Sequence, residues 1–355
     1  MLLHGILPPL TTPFYPDGSL YLKKLEHNVA HYSRTPIAGM VILGSNGETP
    51  LLSDAEQRHV LKTARGAAEP EKVLIAGVGH ESVRHTIAMC EYAAELGYDA
   101  CMARTPHYFK SQMQPPNMLA YYRTVADHSP LPVLIYSFPQ CTGYDIPADI
   151  VVQLAEHPNI AGIKESSGNV DKVKELVART RHIRRTATVT EVFAAATRRM
   201  LAAPARAAVT ASDIISTAAL TGIADAAATA VLAAPKLKMR TREVGFQVLV
   251  GSAQKLLASL QVGAVGAILA FADCAPTACY EIYAAWKEDD QPLAQEKQQR
   301  IVAAATRVVG ELSIPGLKYA MDLNGYFGGP VRLPLLNITG DQKQEVERLM
   351  ADLRN

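Results

Sequence analysis

Eight short apolar runs, most of them separated by longer amphipathic stretches, set the tightest limit on what this chain can fold into. They are Gly5–Leu10, Gly39–Leu43, Val73–Gly77, Asp99–Ala103, Pro132–Ser137, Ile160–Lys164, Phe246–Val250 and Val265–Leu269. Nearly continuous apolar runs of this length are what parallel strands look like when helices cover the sheet. The stretches between them carry helix signals. Ser53-Asp54-Ala55-Glu56 is a capping box, in which Ser53 and Glu56 satisfy each other's backbone donors. Ser82 can cap a helix over Val83–Leu96, and Gly97 can end it. The repeated alternation predicts an α/β fold, a (β/α)8 TIM barrel. An open doubly wound sheet fits less well, because no run is followed by G-x-G-x-x-G or by G-x-x-x-x-G-K-[ST].

Helical patterns follow the eighth run at Pro276–Lys287 and Gln291–Leu312. Ile314-Pro315-Gly316 then introduces Leu317–Leu323, and Asp341–Leu353 comes last. The expected organisation is a barrel over residues 1–275 with C-terminal helices, 276–355, packed on it. Residues 182–244 break the rhythm. This alanine-rich insertion between strands 6 and 7 is far longer than an ordinary αβ loop and shows no clear strand. Alanine buries little area, so the expectation is a loosely attached excursion with helix at Glu191–Ala203 and Ala224–Ala234, or disorder. It would leave from the N-terminal face of the barrel. Its basic groups, Arg198-Arg199 and Lys236–Arg242, read as solvated charge.

Bulk numbers exclude several function classes. Of 355 residues, 48% are hydrophobic and 19% charged, with net charge +1, so nothing electrostatic favours nucleic acid or an anionic membrane. Five cysteines without a C-x-x-C pair argue against a disulfide framework or zinc site. No apolar run approaches the roughly 18 residues of a membrane span. The strand-like start at Gly5 leaves no room for a cleavable presequence, so the expected location is cytoplasmic. His27 and His31 lie i, i+4, but no glutamate follows His27 and no third ligand is evident. They read as a surface pair, and no metal is expected. Asp127-His128-Ser129 reads as a helix end, since a catalytic triad needs spatial adjacency.

In a (β/α)8 barrel, chemistry stands at the C-terminal ends of the strands. Strand 2 ends in Gly44-Ser45-Asn46-Gly47-Glu48, a turn whose N–H groups and side chains can converge on a carboxylate. Strand 5 ends with Tyr136, and strand 6 with Lys164, Glu165 and Ser166. A lysine buried at a strand end can supply a neutral amine, which attacks a 2-oxo carbon to form an iminium. The tyrosine hydroxyl can move the accompanying proton.

These motifs resemble the pyruvate-dependent lyases typified by dihydrodipicolinate synthase and N-acetylneuraminate lyase. The likeness rests on Gly44-Ser45-Asn46-Gly47-Glu48, on Tyr136 with Pro139 and Thr142-Gly143, and on Gly162-Ile163-Lys164. Within the family the chain is most similar to the eukaryotic 4-hydroxy-2-oxoglutarate aldolases. That likeness is carried by His157-Pro158-Asn159-Ile160, Ile314-Pro315-Gly316-Leu317-Lys318 and Gly325-Tyr326-Phe327-Gly328-Gly329-Pro330. The resemblance implies that Lys164 forms a Schiff base and Tyr136 relays protons, with no cofactor beyond the covalent lysine adduct. It implies substrate contacts from Ser45, Asn46, Ser166 and Gly251, and a Tyr108 lent to a neighbouring subunit of a homodimer or homotetramer. The implied reaction cleaves 4-hydroxy-2-oxoglutarate to pyruvate and glyoxylate, so the partners are a small 2-oxo acid and an aldehyde. A mitochondrial location is also implied, against the missing leader. One departure narrows the choice. Dihydrodipicolinate synthases carry a carboxylate-gripping arginine where this chain has Cys141, which disfavours that activity. A 3-deoxy-hexulosonate-type aldolase and a catalytically silent barrel remain as alternatives.

Overall fold

The protein is described over residues 1–202 and 238–353 of a computed structural model. Eight parallel strands form the barrel: β1 (Gly5–Leu7), β2 (Gly39–Ile42), β3 (Val73–Gly77), β4 (Ala100–Arg104), β5 (Val133–Ser137), β6 (Ile160–Glu165), β9 (Gln247–Val250) and β10 (Gly266–Ile268). Each of the eight expected runs overlaps one of them, with β4 and β6 running one residue further, to Arg104 and Glu165. The hydrogen-bonded order is β1-β10-β9-β6-β5-β4-β3-β2. Its two ends meet just past β1, where Val41 donates to the Pro8 carbonyl at 3.0 Å and Leu10 donates to the Val41 carbonyl at 2.9 Å.

The period-2 pleat divides the apolar side chains into two sets. Leu3, Leu7, Val41, Ile75, Met102, Leu134, Leu249 and Ile268 fill the barrel. Their alternates, among them Ile42, Leu74, Cys101, Ile135 and Ile163, meet the surrounding helices in the larger cluster. Local signals place those helices. Ser53 and Glu56 close the expected capping box on Asp54–Ala67. Ser82 accepts from the His85 N–H to start Val83–Leu96, and Gly97 ends it with φ +83°. Past β10, helices Pro276–Lys287 and Gln291–Ala304 lead into a π-helical turn, Ala305–Glu311, and then Ser313–Leu323. Lys318 ties this layer to the barrel mouth. Its buried amine lies 2.5 Å from the Glu48 carboxylate and donates to the Thr12 and Pro330 carbonyls.

The alanine-rich insertion departs from expectation. Its described parts contain β7 (Arg185–Thr190) and β8 (Met239–Val244), an antiparallel two-stranded ribbon pairing Arg185 with Val244 through Thr190 with Met239. The alternation Thr186-Ala187-Thr188-Val189-Thr190 has a physical reason. Ala187 and Val189 face inward on Leu2 and Val244, while the threonines between them face outward. Among the described residues of the expected helix Glu191–Ala203, only Arg198–Ala202 is helical. The expected helix Ala224–Ala234 lies outside the described residues.

The described parts are not loosely attached either. Arg185 donates to the carbonyls of Ala155, His157 and Ile160, and the Arg198 N–H donates to Asp99. Arg199, expected to be solvated, is 6% exposed and donates to the Ala68 and Lys72 carbonyls. Lys72, Asp99 and Ile160 sit at strand N-termini and Ala68 at the C-terminal end of the preceding helix, so the ribbon is bound to the face expected for it.

Candidate active site

Lys164 and Tyr136 are register partners on β6 and β5, and Tyr136 belongs to the inward-facing set. Lys164 is 4% exposed. Its Nζ lies 4.0 Å from the centre of the Tyr136 ring, and no hydrogen bond to it is found among the described residues. Burial disfavours the ammonium and lowers its pKa from 10.5 to about 7, against the opposing pull of Asp273 and Cys141. Tyr136 stacks on Phe138, and its hydroxyl is 3.2 Å from Ser45 Oγ. Burial raises the phenol's pKa, with the Ser45 contact acting the other way.

Ser45 and Asn46 occupy a single 3-10 turn, Ser45–Gly47. The leading N–H groups of such a turn have no acceptor within it. The turn is fixed from three sides. Thr49 donates to the Gly44 carbonyl at 2.9 Å, Thr12 donates to the Gly47 carbonyl at 2.7 Å, and Glu48, held at φ +53°, is pinned by Lys318 and the Arg332 N–H. The Asn46 amide donates to Asp273 Oδ2 at 2.9 Å.

Asp273 was not legible as a site residue. It stands one short turn beyond β10, is fully buried, and has no hydrogen-bond partner for Oδ1 among the described residues. Burial pushes its carboxyl well above the usual carboxylate range. Its carboxyl is one of the two groups that oppose the lowering of the Lys164 pKa. The only sequence signal for Asp273 was one acidic residue in the apolar stretch after Val265–Leu269.

On the far side of Lys164, Ser166 Oγ is buried and has no hydrogen-bond partner among the described residues. Gly251 is packed against it: a Cβ at Gly251 would stand 1.9 Å from that oxygen. Ser45, Asn46, Tyr136, Lys164, Ser166 and Gly251 thus line one cavity of about 430 Å³, walled in part by Val309, Gly310, Ile314 and Leu317 of the C-terminal layer. A second cavity of about 280 Å³ adjoins it and shares Ser45, Tyr136, Phe138 and Cys141. Tyr108 lines neither. It is 77% exposed, edge-on to Phe109. The pair His27 and His31 lies at the surface with ring nitrogens near the Gly325 carbonyl.

Fold and cavity together define a (β/α)8-barrel protein with an amine-centred mouth. The sequence pattern of the Dihydrodipicolinate synthetase family matches residues 2–230 and 209–353. The chain belongs to that family. It is 25% identical over 352 residues to a 4-hydroxy-tetrahydrodipicolinate synthase of Methanothrix thermoacetophila, covering 99% of this chain and 97% of the relative. It is 35% identical over 185 residues to a probable mitochondrial 4-hydroxy-2-oxoglutarate aldolase of Emericella nidulans, covering 50% of this chain and 60% of the relative. Among solved structures, a prophage protein of E. coli K12 from the same family, in complex with pyruvate, superposes with a TM-score of 0.77 at 23% identity, covering 99% of each chain. The chain is therefore a member of an enzyme family of lyases and aldolases. No helix among the described residues is long and apolar enough to cross a membrane.

Proposed function

We propose that the protein is a Schiff-base aldolase that cleaves 4-hydroxy-2-oxoglutarate to pyruvate and glyoxylate, with Lys164 as nucleophile and Tyr136 as proton relay. The observation that carries this reading is the buried Lys164 amine, without a hydrogen-bond partner among the described residues and half neutral near pH 7, against the Tyr136 ring in a cavity edged by Ser45 and Asn46. The amine adds to the C2 carbonyl and water leaves, giving an iminium. The C3–C4 bond then breaks and its electron pair moves toward the iminium nitrogen, leaving an enamine. The proton of the C4 hydroxyl passes to Tyr136 as Tyr136 hands its own to Ser45 and Ser45 passes its own to solvent, and the same relay run in reverse returns a proton to C3. Protonation at C3 and hydrolysis release pyruvate and restore Lys164, so no metal or organic cofactor is required.

The leading N–H groups of the Ser45 turn and the unpartnered Ser166 Oγ would hold the 2-oxo acid carboxylate. The one Asn46 N–H given to Asp273 fixes the orientation of that amide. The exposure of Tyr108 suits a side chain presented to a second copy of the chain. Borohydride reduction with pyruvate, followed by intact mass measurement, tests the reading. Wild type should gain one reduced pyruvate and Lys164→Ala none. No adduct, or one that persists in Lys164→Ala, defeats the proposal and favours a silent barrel.

A further inference from the structure

The second cavity bears on which aldehyde the enzyme handles. β4 continues the inward alternation of Ala100 and Met102 to Arg104, its last residue. Arg104 is the register partner of Tyr136, as Tyr136 is of Lys164. Guanidinium, phenol and amine therefore spring from one row across three neighbouring strands, spaced about 4.8 Å apart. Arg104 also lines the smaller cavity, where it is the one permanently cationic residue, beside Tyr136, Phe138 and Cys141. Cys141 senses both Arg104 and Lys164 as nearby positive charges.

The arginine is built in from behind. Gly79 makes room for it, since a Cβ there would lie 2.4 Å from the Arg104 backbone nitrogen and 2.8 Å from its Cγ. Glu81 Oε1 accepts from Nη1 at 3.0 Å, and His107 Nδ1 lies 2.7 Å from the same nitrogen. The other Glu81 oxygen is taken by the N–H groups of His107 and Tyr108. Nε and Nη2 have no partner among the described residues. One edge of the guanidinium is thus anchored while donors remain for an incoming acid.

We propose that Arg104 anchors a carboxylate on the aldehyde half of the substrate, so that the second substrate is an anionic aldehyde and not a neutral sugar aldehyde. The planar fork matches a carboxylate through parallel N–H···O bonds, whereas a neutral hydroxyaldehyde would leave it without an anion. The proposal rests on the aldolase reading above and fills the gap that Cys141 leaves.

Condensation of pyruvate with glyoxylate and with glycolaldehyde, which differ chiefly in charge, provides the test. Wild type, Arg104→Gln and Arg104→Lys are compared, with the borohydride adduct of pyruvate as a check on each fold. In Arg104→Gln the ratio of kcat/KM for glyoxylate to that for glycolaldehyde should fall ten- to a hundredfold, mainly through the KM for glyoxylate. Arg104→Lys should show a smaller fall. An unchanged ratio in a variant that still forms the adduct overturns the anchor and leaves the aldolase reading standing. No adduct in wild type overturns both. If Arg104→Gln forms no adduct, a constant ratio in Arg104→Lys is the overturning result.

Discussion

Replacing Lys164 with methionine should make the protein more stable at neutral pH while abolishing the pyruvate adduct. The amine sits fully buried with its pKa lowered from 10.5 to about 7. At ~1.36 kcal/mol per pH unit, the charged form is disfavoured by about 5 kcal/mol relative to water. The folded pKa is below the unfolded one. Between pH 7 and 10.5 the unfolded wild type therefore holds one more proton than the folded form, and wild-type stability rises with pH in that window. Methionine has no such titration. Its advantage should be greatest at and below pH 7, shrink by about 2 kcal/mol between pH 7 and 9, and vanish above 10.5. Urea unfolding of both proteins at pH 6, 7, 9 and 10.5, extrapolated linearly to water, measures it. An advantage that does not change with pH would refute the reasoning, because desolvation of the ammonium would not then be what depresses the amine. A methionine variant less stable than wild type at pH 6 would refute it as well.

Two further substitutions test the packing around the site and beneath it. Gly251→Ala puts a Cβ 1.9 Å from Ser166 Oγ, and such overpacking should cost about 1–3 kcal/mol and raise the KM for the 2-oxo acid. Ser166→Gly in the same chain should recover the thermal midpoint but not the KM, and a wild-type midpoint in Gly251→Ala alone would contradict the close approach. Arg199→Ala removes charged donors from the Ala68 and Lys72 carbonyls and should cost about 3 kcal/mol in urea unfolding. An unaltered unfolding curve would mean that the ribbon merely rests on the barrel.

What was legible in the sequence followed from where each pattern gets its energy. The barrel strands could be read because a buried parallel strand advertises itself in its own residues, as Val73–Gly77 does. β8 could not. Met239–Val244 is charged and exposed at most positions, and only its pairing with β7 makes it a strand. Non-local pairing leaves no trace in a single run of residues. Arg199 misled for a related reason, since its burial depends on carbonyls more than a hundred residues away. The π-helical turn at Ala305–Glu311 was hidden in a run that reads as one helix, yet Val309 and Gly310 reach the Lys164 cavity from it.

The site residues divide along the same line. Lys164, Tyr136 and Ser45 were singled out because each lies at or just past the end of a readable strand, and strand ends are where a barrel opens. Asp273 and Arg104 were not singled out, although both stand at strand ends too. An acid in an apolar stretch and an arginine beside a histidine look like ordinary solvated or capping charges until the fold shows what surrounds them. Their surroundings assign them opposite electrostatic parts. Asp273 is buried, which disfavours its carboxylate, and it only partly opposes the lowering of the Lys164 amine. Arg104, a guanidinium and so permanently charged, is held by Glu81 at the wall of the smaller cavity. One mouth thus holds a buried amine of lowered pKa and a permanent cation two strands apart, and the inward alternation that fills the barrel with Met102 and Leu134 is what points them into adjoining cavities.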